Sequence, residues 1–540
     1  MLYKIFKKSF YIVIVFILIG FAKYSSANDS LPYDIIISNG RVVDGSGNPW
    51  FLADIGIKDD RIVKIGNLDE ENADQIINAN GLVVTPGFID PHTHALRGIF
   101  DVPGAESALL QGVTTLTEGN DGASPFPIDR HYRAITDKKI SPNWSTFVGH
   151  GTLRQMVMGT EDRKPSRAEM TKMKNLIREA MEDGALGMST GLFYVPGSYA
   201  LTEEIIELSK VVAEYGGIYI SHIREETSGI IESVEETIRI GRESDIPVQI
   251  THHKVMGVDN WGLSIESLSL VDAARNQGVD VTLDQYPYTA SQTGLKALIP
   301  QWAQEGGNER MLQRIKSSET RKIIKNEVIK KILYGRGGGN PKNIFISRNS
   351  WNPSMTGKNL AEITIEMGMS PSAENAAETV FMILEKGSVT AVYHAINPDD
   401  VDRIMQHPAT AIGSDGPVGI FGEGTPHPRQ YGSFARVLGY YVRERGILKL
   451  EQAVRKMSSQ SAKRLGIHDR GLIAEGYYAD IAVFDPNQII DKATFENPHQ
   501  YSVGMKFVIV NGITVVEEGK HNGNRPGKVI YGPGKKDLIH

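Results

Sequence analysis

The chain has 540 residues, of which 41% are hydrophobic and 23% charged, and its formal net charge at pH 7 is −6. This composition is that of a globular protein and excludes a disordered or fibrous chain, while the acidic balance excludes a surface that coats nucleic acid. Because the chain has no cysteine, disulfides, thiol nucleophiles and cysteine-ligated metal sites are excluded as well.

The first 27 residues have the pattern of a secretory signal peptide. Lysines precede an unbroken apolar run from Phe10 to Ala22, and Ser25-Ser26-Ala27 places small residues where a signal peptidase cleaves. The apolar run is shorter than the ~20 residues of a membrane-spanning helix, and a lipid anchor is excluded because no cysteine can carry it. We expect export, to a bacterial periplasm, without stable membrane association after cleavage. An uncleaved anchor is the alternative.

Both ends of the chain predict β-structure. Short apolar runs separated by turn signals occur at residues 35–37, 55–57, 479–484 and 508–516. Asn39-Gly40 has the composition of a two-residue hairpin turn, and so has Asn511-Gly512. We therefore expect residues 28–85 and 468–540 to form one small β-sandwich domain built from both termini.

Between these ends, helical and strand patterns alternate. Helices are predicted at 203–213, 232–240, 268–276, 376–386 and 399–406, and strands at 218–220, 248–250, 279–283, 389–393 and 409–412. This alternation is typical of βα units with a parallel sheet, so the fold class is α/β. Residues 86–467 suit a (β/α)8 TIM-like barrel better than an open sheet. The polar stretch around 301–353 predicts an insertion or lid.

A metal-binding pattern begins at His92 and His94. Alternate residues of a strand point to the same face, so both imidazoles can reach one ion. Further histidines and carboxylates follow other predicted strands, namely His222, His252, Asp121 and Asp415. Because barrel active sites lie at the carboxyl ends of the strands, these side chains are expected to converge. Histidine and carboxylate donors suit zinc or a similar divalent ion.

The chain resembles the amidohydrolase superfamily, and more closely the N-acyl-D-amino-acid deacylases. The matching stretches are 87–94, 111–115, 187–192, 221–224, 252–254, 284–288, 413–416 and 427–432. Their order covers nearly all of the mature chain, from Asp34 to Gly519. The resemblance implies a metal-dependent hydrolase that converts a small N-acyl-D-amino acid into a carboxylate and a free D-amino acid.

The resemblance also implies a role for individual residues. His92 and His94 would bind at one metal position, and His222 and His252 at the other, with one or two zinc ions as cofactor. Asp415 would be the general base and acid. The implied contacts to the substrate carboxylate and the scissile carbonyl are Tyr194, Lys254, Tyr286 and Arg429. Packing, or an internal ion pair for the arginine, is the alternative for these four.

One turn departs from the family pattern. The family has Gly-Asn-Cys-Gly with the cysteine as a metal ligand, whereas this chain has Gly119-Asn120-Asp121-Gly122. Asp121 can bind one metal or bridge two, but a carboxylate is a harder ligand than a thiolate. The preference for zinc and the number of metals therefore stay open.

Two other functions stay open at this point. One is another amidohydrolase reaction, either opening of a cyclic amide, as in dihydroorotase, or hydrolysis of a dipeptide with a C-terminal D residue. No lysine follows residues 186–188, where another branch of the superfamily carries a carboxylated lysine, and this argues against a dihydroorotase or hydantoinase site. The other is a metal-free scaffold or binding protein that has lost catalysis. The oligomeric state does not follow from the sequence.

Overall fold

The structure is a computed structural model, and it describes residues 32–69 and 72–535. The signal peptide predicted for residues 1–27 lies outside the described residues. Within the described ranges, none of the helices combines the length and the apolar character needed to cross a bilayer.

The two ends of the chain together build one nine-stranded sheet. In spatial order, eight of its strands are Lys520–His521, Ile513–Glu517, Met505–Val510, Ile481–Phe484, Val83–Pro86, Tyr33–Val42, Phe51–Lys58 and Arg61–Gly66. Ala73–Asn78 pairs in addition with Tyr33–Val42. The C-terminal half joins the N-terminal half where Ile481–Phe484 runs antiparallel to Val83–Pro86. The expected sheet domain built from both termini is confirmed.

The hairpin predicted at Asn39-Gly40 is wrong. Tyr33–Val42 is one strand with a bulge, at which its register to Phe51–Lys58 shifts. Asn39 takes a left-handed φ of 59°, and its backbone N–H donates to Asp54 Oδ1 at 2.8 Å. Residues 40–42 then go on pairing with residues 51–53 of the same partner strand, so the strand continues instead of turning. The same dipeptide at Asn511-Gly512 does form a hairpin, with positive φ at both residues.

Short parallel strands form the central domain. Six of them make one sheet in the order Thr410–Ile412, Val281–Gln285, Val248–Ile250, Ile218–His222, Gly187–Gly191 and Val148–Gly149. Three more make a second sheet, Phe88–Asp90, Val113–Glu118 and Asn143–Thr146. An isolated parallel bridge joins Thr93 to Gly416, and thus links the loops that follow the first strand and the last. The predicted α/β class is confirmed.

Helices alternate with these strands. The helices of the central domain are Glu106–Leu109, Ile128–Lys138, His150–Met158, Arg167–Glu182, Thr202–Glu214, Ile230–Ser244, Ser264–Asn276, Pro398–Gln406, Arg429–Arg436, Leu450–Met457 and Ser459–Leu465. A π-helical stretch, Val437–Glu444, continues from Arg429–Arg436. The connections from strand to helix carry the candidate site described below.

The prediction that residues 389–393 add a parallel strand is wrong. Thr390–Tyr393 pairs antiparallel with Ser291–Gly294 on one side and Ile344–Arg348 on the other. Four helices belong to the same region, Gly307–Lys316, Ser318–Tyr334, Leu360–Glu366 and Ala373–Lys386. An apolar strand after an amphipathic helix has the same local pattern whichever sheet it joins, so the pattern could not identify its partner. This region, residues 291–396, is called the insertion subdomain below, and it is wider than the predicted 301–353.

A buried polar network ties the sheet domain to the central domain. Asp480 is 3% exposed and accepts hydrogen bonds from Arg470 and from the backbone N–H of Asn511, which belong to the sheet domain. It also accepts one from Asn143 Nδ2 at 3.0 Å, and Asn143 begins a strand of the central domain. One buried carboxylate therefore accepts hydrogen bonds from both domains.

Replacement of Asp480 by alanine is expected to destabilise the protein by about 3–5 kcal/mol, because it leaves the buried guanidinium of Arg470 without a counter-charge. Asp469→Ala is the matched control, since Asp469 pairs with Arg61 at the surface and both side chains are at least one-third exposed. The control should cost no more than about 1 kcal/mol. Denaturant unfolding measures both variants, and equal losses would contradict the role of Asp480.

Candidate metal centre

The six predicted metal-site residues lie at or just beyond the carboxyl ends of parallel strands. Phe88–Asp90 precedes His92 and His94, Val113–Glu118 precedes Asp121, His222 ends its own strand, Val248–Ile250 precedes His252, and Thr410–Ile412 precedes Asp415. The structure brings all six together. They form two groups that share one member, the first being His92, His94, Asp121 and Asp415, the second Asp121, His222 and His252. In each group the potential ligand atoms lie within 4.8 Å of one another.

Asp121 lies between the two groups. Its Oδ1 is 3.5 Å from His92 Nε2 and 3.3 Å from His252 Nε2. Its Oδ2 is 3.4 Å from His94 Nε2 and 3.6 Å from His222 Nδ1. Each carboxylate oxygen therefore faces one histidine of each predicted pair, which is a position from which one side chain can serve two ions.

The turn that carries Asp121 has little freedom. Asp121 has a φ of 56°, and a Cβ on Gly119 would lie 2.3 Å from the carbonyl oxygen of Phe147. The hydroxyl of Ser189 ties the turn to the strand Gly187–Gly191, because it accepts from Gly122 N–H and donates to the carbonyl of Gly119. The turn therefore holds the Asp121 side chain in one direction.

Positive φ angles recur at the site. Besides Asp121, His252 has a φ of 35° and Asp415 a φ of 51°. Each such residue costs about 1–3 kcal/mol, and such strain is concentrated at functional sites, where the surrounding structure enforces it. Three of the six predicted residues are held in this way.

Several buried atoms of the site lack a hydrogen-bond partner among the described residues. They are both ring nitrogens of His92, both of His222, and Asp121 Oδ1. A buried polar atom without a partner costs about 1–3 kcal/mol, and metal coordination would remove this cost. The donors are imidazoles and carboxylates, which fit zinc or a similar divalent ion. The residues present therefore fit a metal.

The electrostatics of the centre are those of a cation site. Burial lowers the pKa of His92 to about 3. Burial acts in the same direction on His94, but hydrogen bonds to Asp121 and Asp415 outweigh it and raise the pKa of His94 to about 9. Burial raises the pKa of Asp415, but the charge of Arg429 and a hydrogen bond with His94 lower it by more. The net result is a pKa below the ordinary value of an aspartate. Burial also raises the pKa of Asp121, but the neighbouring histidines His252 and His92 lower it well below the ordinary value. Asp121 and Asp415 are thus both held as carboxylates.

Sequence reasoning missed three carboxylates behind the ligands, Asp90, Asp284 and Glu226. Asp90 Oδ1 accepts from the backbone N–H groups of His92 at 3.2 Å and Ser414 at 3.0 Å, and so connects the first strand to the last. Asp284 accepts from the backbone N–H of His252 at 2.7 Å. Both aspartates lie in stretches that resemble the deacylases, and this was the available signal.

No sequence feature pointed to Glu226, because it lies outside the stretches that resemble the deacylases. It lies in the loop after Ile218–His222, is 1% exposed, and its Oε1 is 3.3 Å from His252 Nδ1. Burial raises the pKa of Glu226, but Lys254 and His222 lower it well below the ordinary value. Only its contacts with His252 and Lys254 in the folded structure show that Glu226 supports the metal site.

Two of the predicted substrate contacts border the second group. Tyr194 lies with its ring centroid 4.7 Å from that of His222, and its hydroxyl is 3.0 Å from Thr293 Oγ1 of the insertion subdomain. Lys254 donates to Glu226 Oε1 at 2.5 Å, and its Nζ is 2.8 Å from both the carbonyl oxygen and Nδ1 of His252. Both side chains are close enough to the centre for their predicted role.

The other two border Asp415. Arg429 Nη1 donates to Asp415 Oδ2 at 2.6 Å, so the internal ion pair is present. Its guanidinium lies 4.8 Å over the ring of Tyr286. The Tyr286 hydroxyl and Arg429 Nε are buried and have no hydrogen-bond partner among the described residues. These two donors are available to a ligand.

The chain is similar to proteins of known family and name. A model described as "Amidohydrolase family" matches residues 75–317 and 350–516. The D-aminoacylase of Alcaligenes xylosoxydans xylosoxydans is 38% identical, with 94% of this chain and 99% of that protein covered. The N-acyl-D-glutamate deacylase of the same organism is 34% identical, with 92% and 96% covered.

Solved structures of the same two kinds of protein are similar to this chain. An N-acyl-D-glutamate deacylase from Bordetella bronchiseptica, complexed with zinc and a phosphonate inhibitor that mimics the tetrahedral intermediate, has a TM-score of 0.79 and 34% identity, covering 92% of this chain and 99% of that one. A D-aminoacylase described as having a binuclear metal centre has a TM-score of 0.79 and 36% identity, covering 93% of this chain and 100% of that one.

Proposed function

Because the chain belongs to the amidohydrolase family, we propose that it is a zinc-dependent hydrolase of N-acyl-D-amino acids, releasing a carboxylate and a free D-amino acid. The observation that carries the proposal is the pair of histidine groups joined by Asp121, with Asp415 at their edge. The relatives at 34–38% identity, which carry deacylase names, support the amide bond and the D-amino acid as the substrate class.

The metal would be held by His92, His94, His222 and His252 together with Asp121. When bound, a divalent ion supplies a Lewis acid and lowers the pKa of water, so that a nucleophile exists at neutral pH.

Asp415 carries the proton transfers. Its Oδ1 is 3.1 Å from His94 Nε2, and its Oδ2 is held by Arg429. As a carboxylate at the edge of the metal site, it takes the proton of the attacking water and returns it to the amide nitrogen. Without that proton the amine is a poor leaving group.

The remaining side chains position the substrate. Lys254 and Arg429 supply positive charge for the α-carboxylate, and the Tyr194 and Tyr286 hydroxyls are donors for an oxyanion or a carboxylate. Charge-assisted hydrogen bonds of this kind both orient the substrate and stabilise negative charge that develops during the reaction.

Assays of purified protein on N-acetyl-D- and N-acetyl-L-amino acids test the function. We expect amine release from the D series, its loss after treatment with a chelator, and its recovery with added Zn²⁺. A cyclic amide and a dipeptide with a C-terminal D residue belong in the same panel. Turnover of either of these alone would replace the proposal with another amidohydrolase reaction. Full activity in demonstrably metal-free protein would refute the metal role.

We also propose that the protein acts in a bacterial periplasm. The charged, apolar and small-residue regions of residues 1–27 support this location. N-terminal sequencing of the protein from a periplasmic fraction tests it, with Asn28 expected as the first residue.

A further inference from the structure

One arginine of the insertion subdomain, Arg336, lies next to the candidate site. Arg336 follows the helix Ser318–Tyr334, and only 4% of it is exposed. Its Nη2 donates to Glu226 Oε2 at 2.8 Å, and its guanidinium lies 4.2 Å over the ring of Phe193. Its Nη1 also lies 3.5 Å from Met256 Sδ. Arg336 therefore contacts three loops of the central domain, which follow the strands Gly187–Gly191, Ile218–His222 and Val248–Ile250.

Arg336 is the one residue with a side chain in the loop 335–339. Glycines occupy position 335 and positions 337–339. A Cβ on Gly337 would lie 2.3 Å from the carbonyl oxygen of Ile332, and a Cβ on Gly338 would lie 2.4 Å from that of His394. Because these are backbone atoms, the loop can fold this tightly only with glycine at both positions.

Glu226 connects Arg336 to Lys254. One oxygen of Glu226 accepts from Arg336 and the other from Lys254, so a single buried carboxylate is shared by two cations. The Lys254 ammonium is thereby placed beside the second ligand group. Phe193 extends the contact to its neighbour Tyr194, since the two rings pack edge to face with centroids 5.2 Å apart.

We propose that Arg336 is a positioning residue for substrate recognition: by holding one oxygen of Glu226, it fixes the position of the Lys254 ammonium, whose positive charge attracts the α-carboxylate of the substrate. This inference rests on the proposed function. Without Arg336, the whole negative charge of Glu226 acts on Lys254, which weakens the attraction of the ammonium for the substrate carboxylate. Replacement of Arg336 should therefore impair the hydrolysis of substrates with an α-carboxylate, and should not impair cleavage of the amide in substrates that lack one.

The test compares an N-acetyl-D-amino acid with its carboxamide, which lacks the α-carboxylate charge. In the wild type, kcat/KM should favour the acid. In Arg336→Gln this preference should fall by about tenfold, the effect of a weakened charged hydrogen bond, through a higher KM for the acid. Arg336→Lys keeps the charge but not the planar group, and an intermediate preference is expected. Metal content should match the wild type. The thermal midpoint should fall in Arg336→Gln, because a buried ion pair loses one partner, and should fall less in Arg336→Lys.

Arg321→Gln is the matched control, because Arg321 lies in the same subdomain and pairs with Glu378 instead. It should keep the wild-type preference. An unchanged preference in both Arg336 variants would overturn the inference, as would an equal loss on both substrates, which indicates a general structural role. A wild type that cleaves neither compound would instead refute the proposed function.

Discussion

Asp415→Asn is expected to lower kcat by at least ~10²-fold while the protein stays folded and keeps metal. The amide of asparagine cannot accept the proton of the attacking water, although it is similar in size and can still accept a hydrogen bond from Arg429. The second ligand group, Asp121, His222 and His252, does not include Asp415, so its metal should be retained. Steady-state kinetics and elemental analysis of the same samples measure the two effects separately.

The control for this prediction is another buried aspartate paired with an arginine. Asp400 is buried and accepts from Arg403 Nη1 at 2.9 Å, but it belongs to neither ligand group. Asp400→Asn should change stability and leave kcat near that of the wild type. Full activity of a verified Asp415→Asn variant would refute proton transfer by Asp415.

Asp121→Ala is expected to lower metal occupancy and activity together, because Asp121 faces both ligand groups. Loss of a residue behind the ligands costs about 10–100-fold in metal affinity, and the loss of Asp121 should cost at least as much. Added metal should restore part of the rate. Titration of metal-free protein with Zn²⁺, followed by elemental analysis, gives the affinity and the stoichiometry without reference to activity.

Two further variants distinguish ligation from a role in the turn. Asp121→Cys should keep substantial activity, since it restores the thiolate of the Gly-Asn-Cys-Gly pattern in a softer site that is more selective for zinc. If Asp121 only capped the turn through local backbone N–H groups, Asp121→Asn would leave metal content unchanged and cost only stability. Unchanged occupancy in the Ala, Asn and Cys variants together would rule out ligation.

Some features of this protein could be predicted from short stretches of sequence because they depend only on residues that are close together along the chain. The alternation of helices and strands indicated an α/β fold, and the hairpin at Asn511-Gly512 formed as predicted. His92 and His94 are two residues apart, and the other predicted ligands each lie at or just beyond the end of a strand of their own. Parallel strands align their carboxyl ends, so strand-end position alone predicted that these residues would meet.

Other features depended on partners far away along the chain. Asn39-Gly40 became a bulge because residues 40–42 go on pairing with residues 51–53 of the same partner strand, whereas the chain reverses at Asn511-Gly512 and pairs with itself. Thr390–Tyr393 joined an antiparallel sheet because Ser291–Gly294 and Ile344–Arg348 were available to pair with it. In both cases the local pattern allowed two structures, and a distant hydrogen-bonding partner chose between them.

The surroundings of the metal site depended most on tertiary structure. The sequence by itself identified the residues with metal-binding chemistry and the order in which strands present them. It did not indicate that Glu226 pairs with Arg336, 110 residues later, or that Asp121 faces both histidine pairs. Residue type and strand position are local properties, whereas the pairing of buried charges is decided only when folding removes water and leaves each charge the nearest partner that can satisfy it.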